Sequence, residues 1–253
     1  QMEFFDSHAH YNDEQFENEN IIEQLYKDGI TKMVIPGYNL QSSRKAIEIA
    51  KKYPFVYATC GISPNDIKNT AEVEEIEKLA DEEKVVAIGE IGLDYYWNKE
   101  NKKEQKEIFI KQIEVANKKN LPIVIHCRDA HTDLIEILKE KMDCNKKGIF
   151  HCVALNLELI KNALNLGYYI SFAGPITYKN SKNADEAIKL VPLDKILIET
   201  DSPYLSPEPK RGTRNDSTNL VYIAEKISQV KQIKIEEFVK ITYENTKKIF
   251  NIK

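Results

Sequence analysis

Eight short runs of apolar, β-branched and aromatic residues recur along the chain, at 3–5, 32–35, 56–60, 85–88, 122–125, 148–150, 168–172 and 195–198. Between them lie segments whose apolar residues recur at helical spacing, such as Ile21/Ile22/Leu25, Ala46/Ile47/Ala50, Phe109/Ile113/Ala116, Leu134/Ile137/Leu138 and Leu159/Ile160/Ala163. Val221/Ala224/Ile227 and the stretch 238–250 extend the helical pattern to the end. A strand pattern alternating with a helix pattern calls for a parallel sheet, because parallel neighbours need a crossover between them. Eight repeats in 253 residues fit a closed (β/α)8 TIM barrel better than an open doubly wound sheet. No GxGxxG or P-loop follows the first run, which removes the usual nucleotide-binding folds. With no low-complexity linker and no break in composition, the expectation is one α/β domain over residues 2–253.

Composition narrows the function classes. A formal charge of −4 provides no bulk basic surface, so wrapping of duplex nucleic acid is not expected, although a small site could still grip a few phosphates. No apolar run approaches the ~20 residues of a membrane span, and the N-terminal stretch lacks the basic and apolar regions of a signal peptide. Cys60, Cys127, Cys144 and Cys152 show no CxxC spacing. Three of them end strand-like runs, which suits free core thiols in a reducing cytoplasm rather than metal ligands.

The stretch 85–97, VVAIGEIGLDYYW, organises the chemistry. Its apolar start reads as a strand buried on both faces that ends at Gly89, leaving Glu90 where the strand gives out. A carboxylate there is costly unless something cationic meets it. Other strand ends offer the partners: His8 and His10 as an H-x-H pair after the first run, His126 after the fifth, His151 after the sixth and Asp201 after the eighth. Two His at i and i+2 on a strand point the same way and can chelate one ion, and barrel chemistry is built at C-terminal strand ends. The fifth histidine, His131, reads as a solvated surface residue.

Six nitrogen and oxygen ligands exceed what one zinc ion takes, and they suit two divalent ions bridged by Glu90. Two ions ~3.5–4 Å apart acidify a water and clamp both oxygens of a phosphoryl displacement. Glu90 and Asp201 cancel only part of the charge of such a pair, which favours an anionic substrate. Arg128, Arg211 and Arg214 are candidate phosphate contacts, the last two standing equally well as solvated loop residues. Imidazoles favour Zn²⁺ or Mn²⁺ while carboxylate chemistry on phosphates often runs on Mg²⁺, so the identity stays open.

These residues carry a resemblance to the TatD family of metal-dependent hydrolases. The matching segments are DSHAH at 6–10, AIGEIGLDYYW at 87–97, Gln105, Phe109 and Gln112 on one helix, LPIVIHCRDA at 121–130, His151-Cys152, IETDSPYLSP at 198–207, RGTRN at 211–215 and NLVYIAEKI at 219–227. The resemblance implies one ion on His8, His10, Glu90 and Asp201 and another on Glu90, His126 and His151, with Asp201 taking the proton of the attacking water. It also implies deoxyribonuclease activity, as a 3′-end exonuclease on single-stranded DNA. Two loops depart from the family: Gly61-Ile62-Ser63-Pro64-Asn65 stands where G-x-H-P-H is usual, and Cys152-Val153-Ala154-Leu155 where CFSG is usual. Asp216-Ser217 replaces the commoner Glu-Pro. The altered loops bear on substrate preference, and they leave two rivals in view: a metallohydrolase of another ester or amide, such as an aminoacyl-tRNA deacylase, and a non-catalytic metal-binding protein. Trp97, the only tryptophan, lies either at the pocket mouth or packed on the following helix.

Overall fold

Every one of the eight apolar runs becomes a strand, and every strand pairs in parallel with the next in sequence. The computed structural model describes residues 2–143, 145 and 147–253. Its strands are β1 (Phe4–Asp6), β2 (Ile30–Ile35), β3 (Val56–Cys60), β4 (Val85–Asp94), β5 (Ile123–Arg128), β6 (Gly148–Phe150), β7 (Tyr169–Phe172) and β8 (Ile196–Ile198), in the order β1 to β8. Helices α1 (Ile21–Lys27), α2 (Leu40–Lys52), α3 (Glu72–Leu79), α4 (Lys102–Lys119), α5 (His131–Lys141), α6 (Leu157–Asn165) and α7 (Ala184–Leu190) make the crossovers. The helices α8 (Leu220–Lys231) and α9 (Ile235–Phe250) follow β8. The eight strands form a nearly closed barrel.

The seam between first and last strand is held at the mouth. Ser7 N and Ser7 Oγ donate to Ile198 O at 3.3 and 2.9 Å, Asp201 N to His8 O at 2.9 Å and His10 N to Ser202 O at 2.8 Å. Behind them Asp6 Oδ2 accepts from Thr200 Oγ1 and Ser217 Oγ, both at 2.6 Å. Ser217, one of the departures from the family pattern, thus supplies part of the seam.

Alternation along the strands sorts the core into two. Phe5, Val34, Val124, Ile149 and Leu197 form one cluster although their strands are scattered around the sheet, so they meet inside the barrel. Ile249 and Phe250 at the end of α9 pack into the same cluster. The outer layer lies between strands and helices. On α4, Phe109, Ile113 and Ala116 are all buried against β4, and burial of Phe109 and Ile113 contributes roughly 1.5–3 kcal/mol each. The two glutamines on the buried side of α4 act as backbone substitutes. Gln112 accepts from Ile62 N at 2.8 Å and donates to Ile62 O at 2.9 Å, and Gln105 does the same for Asp94 N and O at 2.9 and 3.0 Å.

Three expectations need correction. β4 does not end at Gly89 but continues to Asp94, because β5 runs on past Ile125 and pairs Gly92 with His126 and Asp94 with Arg128. The register shifts between Ile88 and Ile91, so Glu90 occupies an irregularity inside a long strand. Gly92 is required there: its φ is 149°, and a Cβ would stand 1.9 Å from His126 O. Second, H-x-H lies beyond the end of β1, so its rings converge through loop geometry rather than strand alternation. Third, His131 is not a solvated residue: it opens α5 half-buried, 3.0 Å from Asn162 Nδ2.

Candidate metal centre

Glu90 stands at the centre of the barrel mouth, and the other five ligand candidates meet around it. Its Oε2 lies 3.2 Å from His8 Nε2 and 3.5 Å from His10 Nε2. Its Oε1 lies 3.2 Å from His151 Nε2 and 3.9 Å from His126 Nδ1. Asp201 Oδ1 is 3.0 Å from His10 Nε2 and 3.4 Å from His8 Nε2. The rings of His8 and His151 stack with centroids 4.0 Å apart.

The fold explains most of these directions. His126 lies two residues beyond inward-facing Val124, and His151 two beyond Ile149, so both inherit the inward direction. Glu90 is fixed by its own N–H, which donates to Gly37 O at 2.6 Å. Asp201 takes a left-handed backbone, φ 56°, in the turn that follows β8. Gly174 lets the next part of that loop close over the mouth, since a Cβ there would stand 2.1 Å from Leu205 O.

A second ring of acids, Glu199 and Asp94, escapes a reading of strand ends. Glu199, fully buried, accepts from His151 Nδ1 at 3.1 Å and from Cys152 N at 2.8 Å, which leaves Nε2 of that ring facing Glu90. Asp94, also fully buried, accepts from His126 Nε2 at 2.8 Å and from Asn65 Nδ2 at 3.2 Å. Alternation was the available signal for Glu199, two residues after inward-facing Leu197. For Asp94 there was none until β4 was known to continue. Such outer carboxylates fix ring orientation and raise ligand basicity. Glutamine at Glu199 has a single acceptor oxygen and cannot serve both donors. Glu199→Gln is therefore expected to weaken metal affinity about 10- to 100-fold, measured by calorimetric titration of metal-free protein. Wild-type affinity in this variant would remove Glu199 from that role.

The cluster is built to draw positive charge. Burial opposes the charged forms throughout, yet the histidines and carboxylates reverse it. For His8, burial and neighbouring His151 push the imidazole down, and Glu199, Asp201 and Glu90 more than compensate, taking it up to about 9. His151 is driven well up against its burial by Glu90 and Glu199. Glu90 and Asp201 are held well below the usual carboxylate range despite burial, by His151 and His8 in one case and by His10 and His8 in the other. His8 Nε2 is moreover buried with no hydrogen-bond partner. A cation facing that nitrogen and both carboxylates would satisfy all of them, so the donor set fits a metal ion. Ligand atoms of His8, His10 and Glu90, and separately of Glu90, His126 and His151, lie within 4.8 Å of one another.

The cluster opens into a cavity of about 790 Å³ lined also by Tyr38, Ser63, Asn65, Asp66, Trp97 and Arg128. The arginines separate. Arg128 lies over the ring of Tyr96, 3.7 Å from its centroid, and lines the cavity. Arg214 is instead bound to Glu19 at 2.6 and 2.9 Å, and Arg211 lies over Tyr178, 3.8 Å from its centroid. Neither lines the cavity, because each finds a partner on its own loop or a neighbouring one. Trp97 faces the mouth and is 69% exposed rather than packed on α4. Cys60, Cys127 and Cys152 are free thiols, and Cys144 lies outside the described residues. Among the described residues Cys60 is fully buried in the core, whereas Cys127, packed against that core, and Cys152 line the cavity. Burial pushes Cys60 and Cys127 up to about 12, so at neutral pH they stay protonated.

An eight-stranded parallel barrel with histidines and carboxylates gathered at the C-terminal strand ends is the construction of a metal-dependent hydrolase. The family model described as "TatD related DNase" matches residues 5–251, and the chain belongs to the TatD family. It is 42% identical to a protein of Bacillus subtilis named as the uncharacterized metal-dependent hydrolase YabD, over 98% of this chain and 99% of that one. Among solved structures it is similar to the TatD homologue YJJV of Escherichia coli, with a TM-score of 0.93, 25% identity and coverage of 99% and 98%. A TatD-family hydrolase of Entamoeba histolytica gives a TM-score of 0.85 at 27% identity, covering 98% of each chain. No helix among the described residues is long and apolar enough to cross a membrane.

Proposed function

We propose that the protein is a deoxyribonuclease that removes nucleotides from the 3′ end of single-stranded DNA, using two divalent ions (Mg²⁺, Mn²⁺ or Zn²⁺) at this centre. The observation that carries the reading is the division of Glu90, whose two oxygens face two different pairs of imidazoles. His8, His10 and Asp201 would hold one ion with Glu90, and His126 and His151 the other. Bound there, such ions acidify a water and offset charge on a phosphoryl group.

The chain's own residues do the rest. Asp201, kept ionised beside His10 and His8, is placed to accept the proton of the attacking water. Arg128 offers its donors to a substrate phosphate from the cavity wall. The concave mouth suits a chain end or a single strand: Arg128 is the one Lys or Arg among its described lining residues, and a formal charge of −4 favours few phosphate contacts over the interior of a duplex. The description of the family model supports DNA as the polymer.

Metal-loaded protein incubated with end-labelled single-stranded DNA is expected to give a ladder of successive shortening from the 3′ end. Random internal cuts would contradict an end-specific pocket. Hydrolysis of an aminoacyl ester with no cleavage of DNA by any metal would move the assignment to carbonyl-ester chemistry.

A further inference from the structure

The rim of the cavity carries a feature that metal binding does not require. Tyr96 and Trp97 are 50% and 69% exposed, the Trp97 ring being the most exposed large apolar side chain among the described residues. The two rings meet edge to face at 5.0 Å, and the guanidinium of Arg128 lies 3.7 Å from the Tyr96 centroid and 5.7 Å from that of Trp97. Exposed aromatics on a loop would ordinarily move with it. Here the backbone is pinned: Asp94 Oδ1 accepts from Tyr96 N at 3.0 Å and Trp97 N at 3.1 Å, and Tyr95 N donates to Arg128 O at 2.9 Å. Gln105 clamps the main chain of Asp94 on both sides. Asp94 uses its other oxygen, Oδ2, to hold His126. One carboxylate therefore fixes the rim aromatics in register with a ligand candidate of the metal centre.

A solvent-facing indole on a pinned backbone, beside a cationic plane and on the wall of the cavity that holds the candidate metal centre, has the character of a stacking surface for a flat ring. Arg128 pairs with no carboxylate among the described residues, unlike Arg214, so its donors are free to reach an anion beside that ring. We propose that Trp97, backed by Tyr96 and Arg128, is a base-stacking subsite that holds the nucleobase adjoining the scissile phosphate, so that the enzyme reads the presence of a base without reading its identity. The inference rests on the nuclease reading above and adds the element that would make it selective for nucleotides over other phosphodiesters. Stacking tolerates any base because each presents a π-face. Little sequence preference is expected, together with strong discrimination against an end that lacks its bases.

The test pairs a protein change with a substrate change. Dye-labelled single-stranded pentanucleotides, intact or abasic at the two 3′-terminal positions, carry phosphorothioate linkages to slow cleavage, and binding to metal-loaded protein is read by anisotropy. Trp97→Ala and removal of the bases are each expected to weaken binding about 5- to 100-fold. Together they should cost little more than either alone, since both delete the same contact. In the wild type, emission of the only tryptophan should be quenched by the intact oligonucleotide and not by the abasic one. Equal binding of the two oligonucleotides by the wild type, or fully multiplicative losses, would overturn the proposal. Cleavage of unmodified DNA is followed separately on a gel. A protein that shortens intact and abasic ends equally well would keep its nuclease assignment and lose the stacking subsite, whereas one that cleaves neither would lose the nuclease assignment itself.

Discussion

Glu90→Gln is expected to remove at least one bound ion per chain and to lower the rate of hydrolysis roughly 10³-fold or more. The side chain would keep its size, but an amide cannot offer a negatively charged oxygen to His8 and His10 on one side and to His126 and His151 on the other. Charge stabilisation by bound ions is worth several kcal/mol, at about 1.4 kcal/mol per factor of ten in rate. Elemental analysis of wild type saturated with metal should give two ions per chain, and at most one in the variant. His8→Ala should lose one ion preferentially. A stability assay gives an independent reading. Metal at about 100 times the Kd of each site should stabilise the wild type by roughly 2.7 kcal/mol per bound ion, raising Tm by about 5–10 °C for each in a chain of this size. The rise should fall to half or less in Glu90→Gln. A wild type that binds no more than one ion under saturating metal would remove the two-ion mechanism.

Asp201→Asn should reduce kcat by about 10²- to 10⁴-fold, the span attributed to a positioned acid or base. Asparagine preserves the shape of the turn and a neutral oxygen near His10, so circular dichroism should stay close to the wild type, while affinity for the ion shared with His8 and His10 falls and the kinetics are compared at saturating metal. KM should change much less than kcat, because the group acts on the attacking water and not on the substrate phosphate. A loss smaller than tenfold would take the proton-accepting role away from Asp201. Both substitutions sit deep in the mouth, so the intact fold must be verified alongside the kinetics.

The residues that reveal the fold and those that reveal the site are of different kinds. The strands are legible because parallel barrel strands are buried on both faces and read as continuous apolar runs, and 56–60 and 148–150 coincide with β3 and β6. The far half of β4 is not legible. Gly89, Glu90, Gly92 and Asp94 look like loop chemistry, and only pairing with His126, Cys127 and Arg128 shows that the strand continues. The six ligand candidates can be picked out because imidazoles and acids at the ends of apolar runs are conspicuous, and the fold gathers the other five around Glu90. Glu199 and Asp94 are less visible because their partners are other site residues, so their worth emerges only when the chain is folded. The sequence offers Arg128 at a strand end and leaves Arg211 and Arg214 evenly between phosphate contacts and solvated loop residues, and packing separates them: Arg128 stacks at the rim while the others are taken up by Tyr178 and Glu19. The offset of H-x-H from β1 has the same origin, since a three-residue strand cannot carry its alternation as far as His10.

The seam between β1 and β8 also bears on when the centre comes into being. His10 and Asp201 touch across 191 positions of sequence, and Asp6, Ser7 and His8 make seam bonds with Ile198, Thr200, Asp201 and Ser217. On a translating ribosome, at about 5–20 residues per second, the first two imidazoles would emerge roughly 10–40 seconds before Asp201. During that interval the growing polypeptide has the first and middle ligands but no closed mouth. The centre is thus a late product of synthesis: its ring of ligands can close only after the chain has been made past Asp201 and Ser217 and β1 has met β8.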